Sequence, residues 1–600
     1  MRMTSNLTLG LIVGCLAPGL SAETLNPIVV TPTRTAQTVD ETNASVTVIS
    51  REDIERSTAT SVQDVLRSVP GVSVTDTGGA GKQSSVFIRG SNSDHVLVLV
   101  DGMKVGGATA GTAQLENIPL ALVDHIEVVR GPRSSLYGSE AIGGVIQIFT
   151  RRGTLDPEAI SEVSAGNNGT ARLTQHFSGT AGDTRYSLSA SLYDTDGVDS
   201  QPASNQRDDD GFTSKSVSAS LDQQVTDDLS LGLNLMHAQG ENDYDDGSRY
   251  STSDQRYWNE FIQQSGRVFA DYSVSDRVSL HGQVGFGRET NENHINLSPY
   301  YDYETKRQQY LLQSDIELTD YQLLTLGVER IDESVDASTD YTEDSRYNNA
   351  AFAQWQTLNQ PLHVEASARY DDNEAYGEET TGALSVGYML SEVVMPYVSY
   401  GTGFKAPNFN DLYSPFGANP DLKAETSETY EVGMKGSAGR LSYELSFYRT
   451  NFDDLVVLDS LYVPYNVGKA TAKGSELSLA YTGIGWSLEA GAGYTRATDD
   501  ETGDPLGRRP KWNGRLAGSR TFGPTEVNLE LLGRTDSIDT AAGDAHVPGY
   551  VVANLSLGYA ATEALNLGLK VSNLLDQEAV TAYGYAGQTR QVLASLRYTY

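Results

Sequence analysis

From about residue 154 to the C-terminus the chain alternates apolar with small polar residues at a period of two. Tyr186, Leu188, Ala190 and Leu192 are interleaved with Ser187, Ser189 and Ser191. Leu229, Leu231, Leu233 and Leu235 repeat the device, as do Leu555, Leu557 and Tyr559, then Leu565, Leu567, Leu569 and Val571. Successive side chains of a strand point to opposite faces, so each segment predicts a strand with one greasy face. Short polar turns follow these strands on one side, and long loops rich in Asp, Asn, Gly and Tyr follow on the other. This pattern fits an all-β transmembrane barrel; a soluble sandwich has no reason for long loops on alternate turns. At roughly 20 residues per strand and connection, residues 154–600 hold about 22 antiparallel strands. The last of them, Val592 to Tyr600, must close onto the first, because a barrel has no free edge.

Residues 43–153 read differently, as a small α/β unit with a core of its own. Val46 to Ile49 predicts a strand, and Thr60 to Gln63 offers a capping box before Val62, Val65, Leu66 and Val69, which share one helical face. Pro70-Gly71 stops that helix. Val86 to Ile88, Val96 to Val100, Ile126 to Val129 and Val145 to Phe149 predict further strands, and Asp101-Gly102 a tight turn. Arg151-Arg152-Gly153 marks the end of the unit.

Composition narrows the class. Hydrophobic residues make up only 38% and no run of eighteen apolar residues occurs, which excludes a helical membrane protein but not a barrel. The 33 Tyr against 14 Phe and 4 Trp suit both the interfacial girdles of a barrel in lipid and its wet lumen. Asp and Glu outnumber Lys and Arg by 79 to 43, a net charge of −36, which argues against nucleic acid and makes divalent cations plausible partners. The single cysteine, Cys15, precludes a disulfide framework or a Cys-based metal site in the mature fold. Eight scattered histidines and the absence of G-x-S-x-G and H-E-x-x-H motifs leave no catalytic constellation, so the chain does not read as an enzyme.

The N-terminus carries an export signal. Arg2, the apolar run Leu7 to Leu20 and small Ser21-Ala22 have the layout of a secretory signal peptide over residues 1–22, although Ile12 to Cys15 also loosely resembles a lipoprotein processing site. Residues 23–42 then form a linker. Within it Pro27-Ile28-Val29-Val30-Thr31-Pro32 is a β-branched run between two prolines, an unpaired strand that a partner could capture by β-augmentation. An ordinary first strand looks the same.

Four motifs in register make the α/β unit specific: Phe87 to Gly90, Leu97 to Gly102, Val128 to Ser134, and Tyr137 to Ile146. In this order they resemble the plug domain of TonB-dependent outer-membrane receptors. Residues 27–32 then look like the TonB box, and Asn573 to Asp576 like the motif near the barrel's end. Ser61 to Arg67, His95 to Leu99, Thr402 to Asn408 and Tyr583 to Tyr585 are most similar to the cobalamin-transporting branch. The resemblance implies a monomeric barrel in outer-membrane lipid, plugged by residues 43–153, that imports cobalamin with energy delivered by TonB. Arg89 and Arg130 are then plug arginines buried against the barrel wall, forking onto carboxylates. A ferric siderophore or another corrinoid is the alternative cargo; a passive porin is the alternative class.

For ligand contact the outward plug loops, Gly78 to Gln83 and Ala108 to Gly111, are the candidates, because small residues let backbone approach a large flat ligand. Gly79, Gly81, Gln83, Thr109 and Ala110 are singled out, and Tyr244 and Arg508 fall at positions resembling the family's barrel contacts. Asp199, Asp208 and Asp210 lie in one long loop and Asp245 and Asp254 in the next on the same side. Composition alone makes them a solvated acidic patch, and EF-hand spacing is absent. The resemblance of Gln206 to Phe212 and Asp243 to Asp245 implies a calcium site that orders the ligand-binding surface.

Overall fold

The computed structural model describes residues 28–600 other than 247–251, 253–254, 358–360, 392, 459–462 and 540–544. Residues 1–22, read above as an export signal, Pro27 and Asp254 therefore lie outside the described residues. From Glu158 to Thr599 the chain forms one closed antiparallel barrel of 22 strands. Closure joins Glu158–Gly166 to Gln591–Thr599, with Ile160 opposite Thr599 and Val163 opposite Leu596. The connections alternate as expected: two-residue turns at 182–183, 227–228 and 276–277 on one side, long loops at 199–209, 245–256, 406–424 and 573–590 on the other.

The alternation resolves with its greasy face outward. Leu188 and Leu192 are about half exposed, at 47% and 51%, whereas Ser187, Ser189 and Ser191 between them are buried in the lumen. This inversion of the soluble pattern is what hydrocarbon solvent requires, since every backbone group is satisfied between strands and only the outer face meets lipid.

The lumen is filled by residues 28–150. A five-stranded mixed sheet runs in the order Ser45–Ile49, Val123–Arg130, Gly144–Thr150, Val96–Val100, Met103–Val105. Only the Val96–Val100 and Gly144–Thr150 pair is parallel. Ile49, Ile54, Val62, Leu66, Val98, Ile126, Val128 and Ile146 form its core. Asp101 and Gly102, both at positive φ, make the predicted two-residue turn, and the Asp101 carboxylate accepts from the Thr150 amide and hydroxyl. The helix at Val62–Leu66 is capped one residue later than the sequence suggests: Ser61, not Thr60, accepts from the Asp64 amide. A second helix, Arg51–Arg56, buries only Ile54 and so leaves no periodic signature, but a Ser50/Asp53 capping box fixes its start. The hairpin partner of Ser84–Ile88, Val72–Asp76, also escapes the sequence reading.

Arg89 and Arg130 tie plug to wall. The Arg89 guanidinium donates to Glu431 at 2.8 Å and to Glu476 at 2.8 and 2.9 Å, and stacks over Tyr448 at 4.5 Å. Arg130 donates to the same Glu476 at 3.0 Å and to Thr47. Such buried pairs add little net stability but fix register, because a shifted plug would leave a charge unpaired.

The 28–32 segment is not an unpaired strand. Ile28 and Val29 pair with Thr38 and Gln37, and Val29 is buried against Ala44, Val46 and Val129. The amides of Val30 and Thr31 donate to the Glu127 carboxylate, the Thr31 hydroxyl donates to Gln147, and Tyr137 donates to the Thr31 carbonyl. Arg34 completes the latch, donating to Glu329 of the barrel at 3.2 Å between the rings of Tyr137 and Phe352. The amides of Val30 and Thr31 are spent on the plug's own Glu127 rather than on a neighbouring strand.

Candidate functional site

At the long-loop end of the barrel, plug and wall enclose a vestibule of about 1140 Å³ including its mouth. Its floor comes from both outward plug loops and its wall from the strands Leu229–Tyr244, Tyr257–Ser275, Val278–Ile295 and Ser298–Thr319. Of the residues singled out above, Gly81, Gln83, Thr109, Ala110 and Tyr244 line it. Gly79 lines a neighbouring cavity with Arg172 and Phe212. Arg508 stands apart: it pairs with Asp539 at 3.0 Å outside the vestibule lining.

Local reasons place these groups. Gly81 sits at φ +73° with the Phe212 ring where its Cβ would be, so the close approach it permits here is to the barrel wall. The second loop is clamped from above, because the amides of Phe409 and Asn410, opening the short helix Phe409–Tyr413, donate to the carbonyls of Ala108 and Thr109. Thr109 is consequently buried and Ala110 exposed.

A chain of amides links the two loops along the wall. The buried Lys82 ammonium donates to Asn242 Oδ1 at 2.7 Å and to the carbonyl of Asp210 at 3.1 Å. Asn242 donates to Asn259, Asn259 to Asn291, Asn291 to Gln114, and Gln114 to Tyr303. Sequence reasoning missed this chain. Strand alternation does put Asn242, Asn259 and Asn291 on the lumen face, but nothing in their spacing says that they meet. Burial draws the Lys82 ammonium down to about 8, with Asp210, Asp243 and Asp245 only partly opposing it.

Beside Lys82 the loop acids converge. Carboxylate oxygens of Asp199, Asp210 and Asp245 lie within 4.8 Å of one another. The Gln201 amide donates to Asp199 and Asp245, and the Ser200 amide to Asp210 at 2.7 Å. Burial, then the Asp210 charge, raises Asp199 and pushes Asp245 up to about 7. Asp208 is exposed and outside this group. Three oxygen-only donors at this spacing match the hard-cation chemistry of calcium, which takes six to eight oxygens.

Known proteins agree with the architecture. Residues 161–574 match the family described as "TonB dependent receptor-like, beta-barrel", and residues 38–145 match "TonB-dependent Receptor Plug Domain". The chain is 31% identical over 589 residues to a vitamin B12 transporter BtuB of Photobacterium profundum, covering 96% of this chain and 95% of that one. A BtuB of Vibrio vulnificus is also 31% identical, over 610 residues, with 96% of each chain covered. Among solved structures, the siderophore receptor PirA of Acinetobacter baumannii superposes with a TM-score of 0.79 at 19% identity, covering 92% of this chain and 98% of that one. The ferric enterobactin receptor PfeA of Pseudomonas aeruginosa in complex with enterobactin does so with 0.79 at 18%, covering 93% and 100%. At those identities the structures show the fold alone. The plugged barrel, the family matches over plug and barrel, and the full-length relatives together establish that this chain belongs to the TonB-dependent receptors, transporters rather than enzymes, of the Gram-negative outer membrane.

Proposed function

We propose that this receptor imports cobalamin, or a closely similar uncharged corrinoid, with TonB engaging residues 27–32. An outer membrane has no ATP supply and holds no ion gradient, so uptake against a gradient needs work delivered through such a tether. The observation that carries the substrate class is the vestibule's charge. Among its described lining residues the acids are Glu116, Asp245 and Glu289, and the one cation, Lys82, is turned onto carbonyls and Asn242. A ferric catecholate is strongly anionic and finds no uncommitted cation among these residues, whereas an uncharged, amide-rimmed macrocycle meets a wall of Asn and Gln. The relatives at 31% identity are named for vitamin B12. The plugged lumen sets the porin reading aside.

Calcium at Asp199, Asp210 and Asp245, with Asp208 and Asp254 as further ligands, would relieve the mutual repulsion and hold the start of the Asp210–Thr226 strand against Lys82 and Gly81. Ligand and cation then raise each other's affinity by one factor. Residues 1–22 act as the export signal, 43–153 as the plug and 154–600 as the barrel. We read it as a monomer, as the resemblance to the family implies.

The test is retention by the purified receptor of labelled cyanocobalamin against ferric enterobactin. Selective retention of cyanocobalamin is expected; retention of ferric enterobactin alone would overturn the assignment.

A further inference from the structure

One buried carboxyl of the vestibule has no partner. Glu289 lies on the lumen face of Val278–Ile295, between Gln263 and Thr305 of the flanking strands. It is 3% exposed, and neither carboxylate oxygen has a hydrogen-bond partner. The plug comes close without satisfying it: a Cβ on Gly107 would sit 3.0 Å from Glu289 Oε1 and 3.4 Å from Thr109 Oγ1. So the acid borders the loop that carries Thr109 and Ala110. The nearest cation is committed elsewhere. Arg307 donates from Nε and Nη2 to Glu333 Oε1 at 2.8 and 2.6 Å, and from Nη1 to the carbonyls of Lys104 and Gly106. The Thr305 hydroxyl in turn accepts from the Ala108 amide. Of the other acids of the lining, half-buried Glu116 accepts from the Ser84 hydroxyl at 2.7 Å and buried Asp245 from the Gln201 amide at 3.0 Å, which leaves Glu289 as the unpartnered one.

A buried carboxyl without donors is costly, and burying it in a fold is favourable only if something supplies them. The Gly107 amide donates to the Thr112 carbonyl, Asn291 to Gln114 and Gln114 to Tyr303, so none of these reaches Glu289 and the missing donors come from the ligand.

We infer that Glu289 is the vestibule's recognition group for N–H donors on an uncharged ligand, of the primary carboxamide class. It pairs with a carboxamide through its two carboxyl oxygens, a match that a carboxylate at the same place cannot make because it brings no N–H, and so sets specificity at the plug loop 108–111. This rests on the vestibule being the cobalamin site proposed above.

Two probes and two variants test it. Binding of cyanocobalamin, and of the corrinoid in which peripheral carboxamides are hydrolysed to carboxylates, is measured by calorimetry on the detergent-solubilised receptor and on Glu289→Gln and Glu289→Ala. The unaltered receptor should prefer the amide form. Glu289→Ala should weaken cyanocobalamin roughly 10- to 100-fold, the range for a buried donor left without its partner, Glu289→Gln, which keeps one acceptor oxygen, should lose less, and the preference over the acid form should shrink in both. Folding is read from the heat-dependent gel migration of the barrel; failure of both variants to fold would make Glu289 a structural group and overturn the inference. Unchanged affinity and unchanged preference in folded variants would overturn it too, leaving the cobalamin reading standing. No binding of cyanocobalamin by the unaltered receptor would instead remove the cobalamin reading, and this inference with it.

Discussion

Replacing Arg89 by Met removes the cation that two barrel carboxylates share. Glu476 keeps Arg130 at 3.0 Å. Glu431 is left with only the hydroxyls of Ser45 at 2.8 Å and Tyr397 at 2.9 Å, in a place where it is 8% exposed. Breaking a buried pair from one side costs about 3–5 kcal/mol. The two surviving hydroxyls favour the lower end, so plug retention should weaken by about 3 kcal/mol, or roughly 100-fold in the docking equilibrium. The barrel's hydrogen-bonded wall is untouched and should keep its heat-dependent gel migration. The assay follows protease cleavage of the plug in increasing urea, alongside that migration. Removing both partners, Arg89→Met with Glu431→Met, should recover much of the loss, because no orphaned charge remains. A single variant whose plug resists urea as well as the unaltered protein, or a double variant no better than the single, would refute the reasoning.

Three further outcomes follow. Glu127→Ala removes the acceptor for two amides of the 28–32 segment, so a thiol introduced as Val30→Cys should label about tenfold faster or more without ligand; equal labelling would show that Glu127 does not hold the latch. Asp245, raised to about 7, holds a proton in the cation-free receptor below that pH, and calcium must displace it. Calcium affinity measured by titration calorimetry should therefore be level above about pH 7 and fall as pH drops below it, up to about tenfold per unit; a flat profile from pH 5 to 8 would separate Asp245 from the site. Ala110→Trp, at an exposed position on the vestibule floor, should abolish cyanocobalamin binding while plug and barrel stay folded, and unaltered binding would take that loop out of the site.

Much of the fold was legible because membrane solvent imposes a simple rule on each strand. Leu188 outward and Ser189 inward follow from period two alone, and closure of Val592–Thr599 onto the first strand follows from the ban on free edges. What escaped did so for local reasons. Arg51–Arg56 buries one apolar residue and so has no period to detect. The docking of Val29 depends on Glu127, nearly a hundred positions away, and no local pattern encodes that contact. In the vestibule, Gly81, Gln83, Thr109, Ala110 and Tyr244 could be named from loop position and resemblance. The amide chain and Glu289 could not, since they become a site only when four strands and two plug loops are brought together.

Uptake by cells separates energised transport from diffusion. Cells expressing the receptor, and cells expressing it without residues 27–32, are given labelled cyanocobalamin, and surface-bound and internalised label are separated. Energised transport predicts that the deletion keeps surface binding and loses internalisation, as the intact receptor does in cells lacking TonB. Internalisation that survives the deletion would contradict the account.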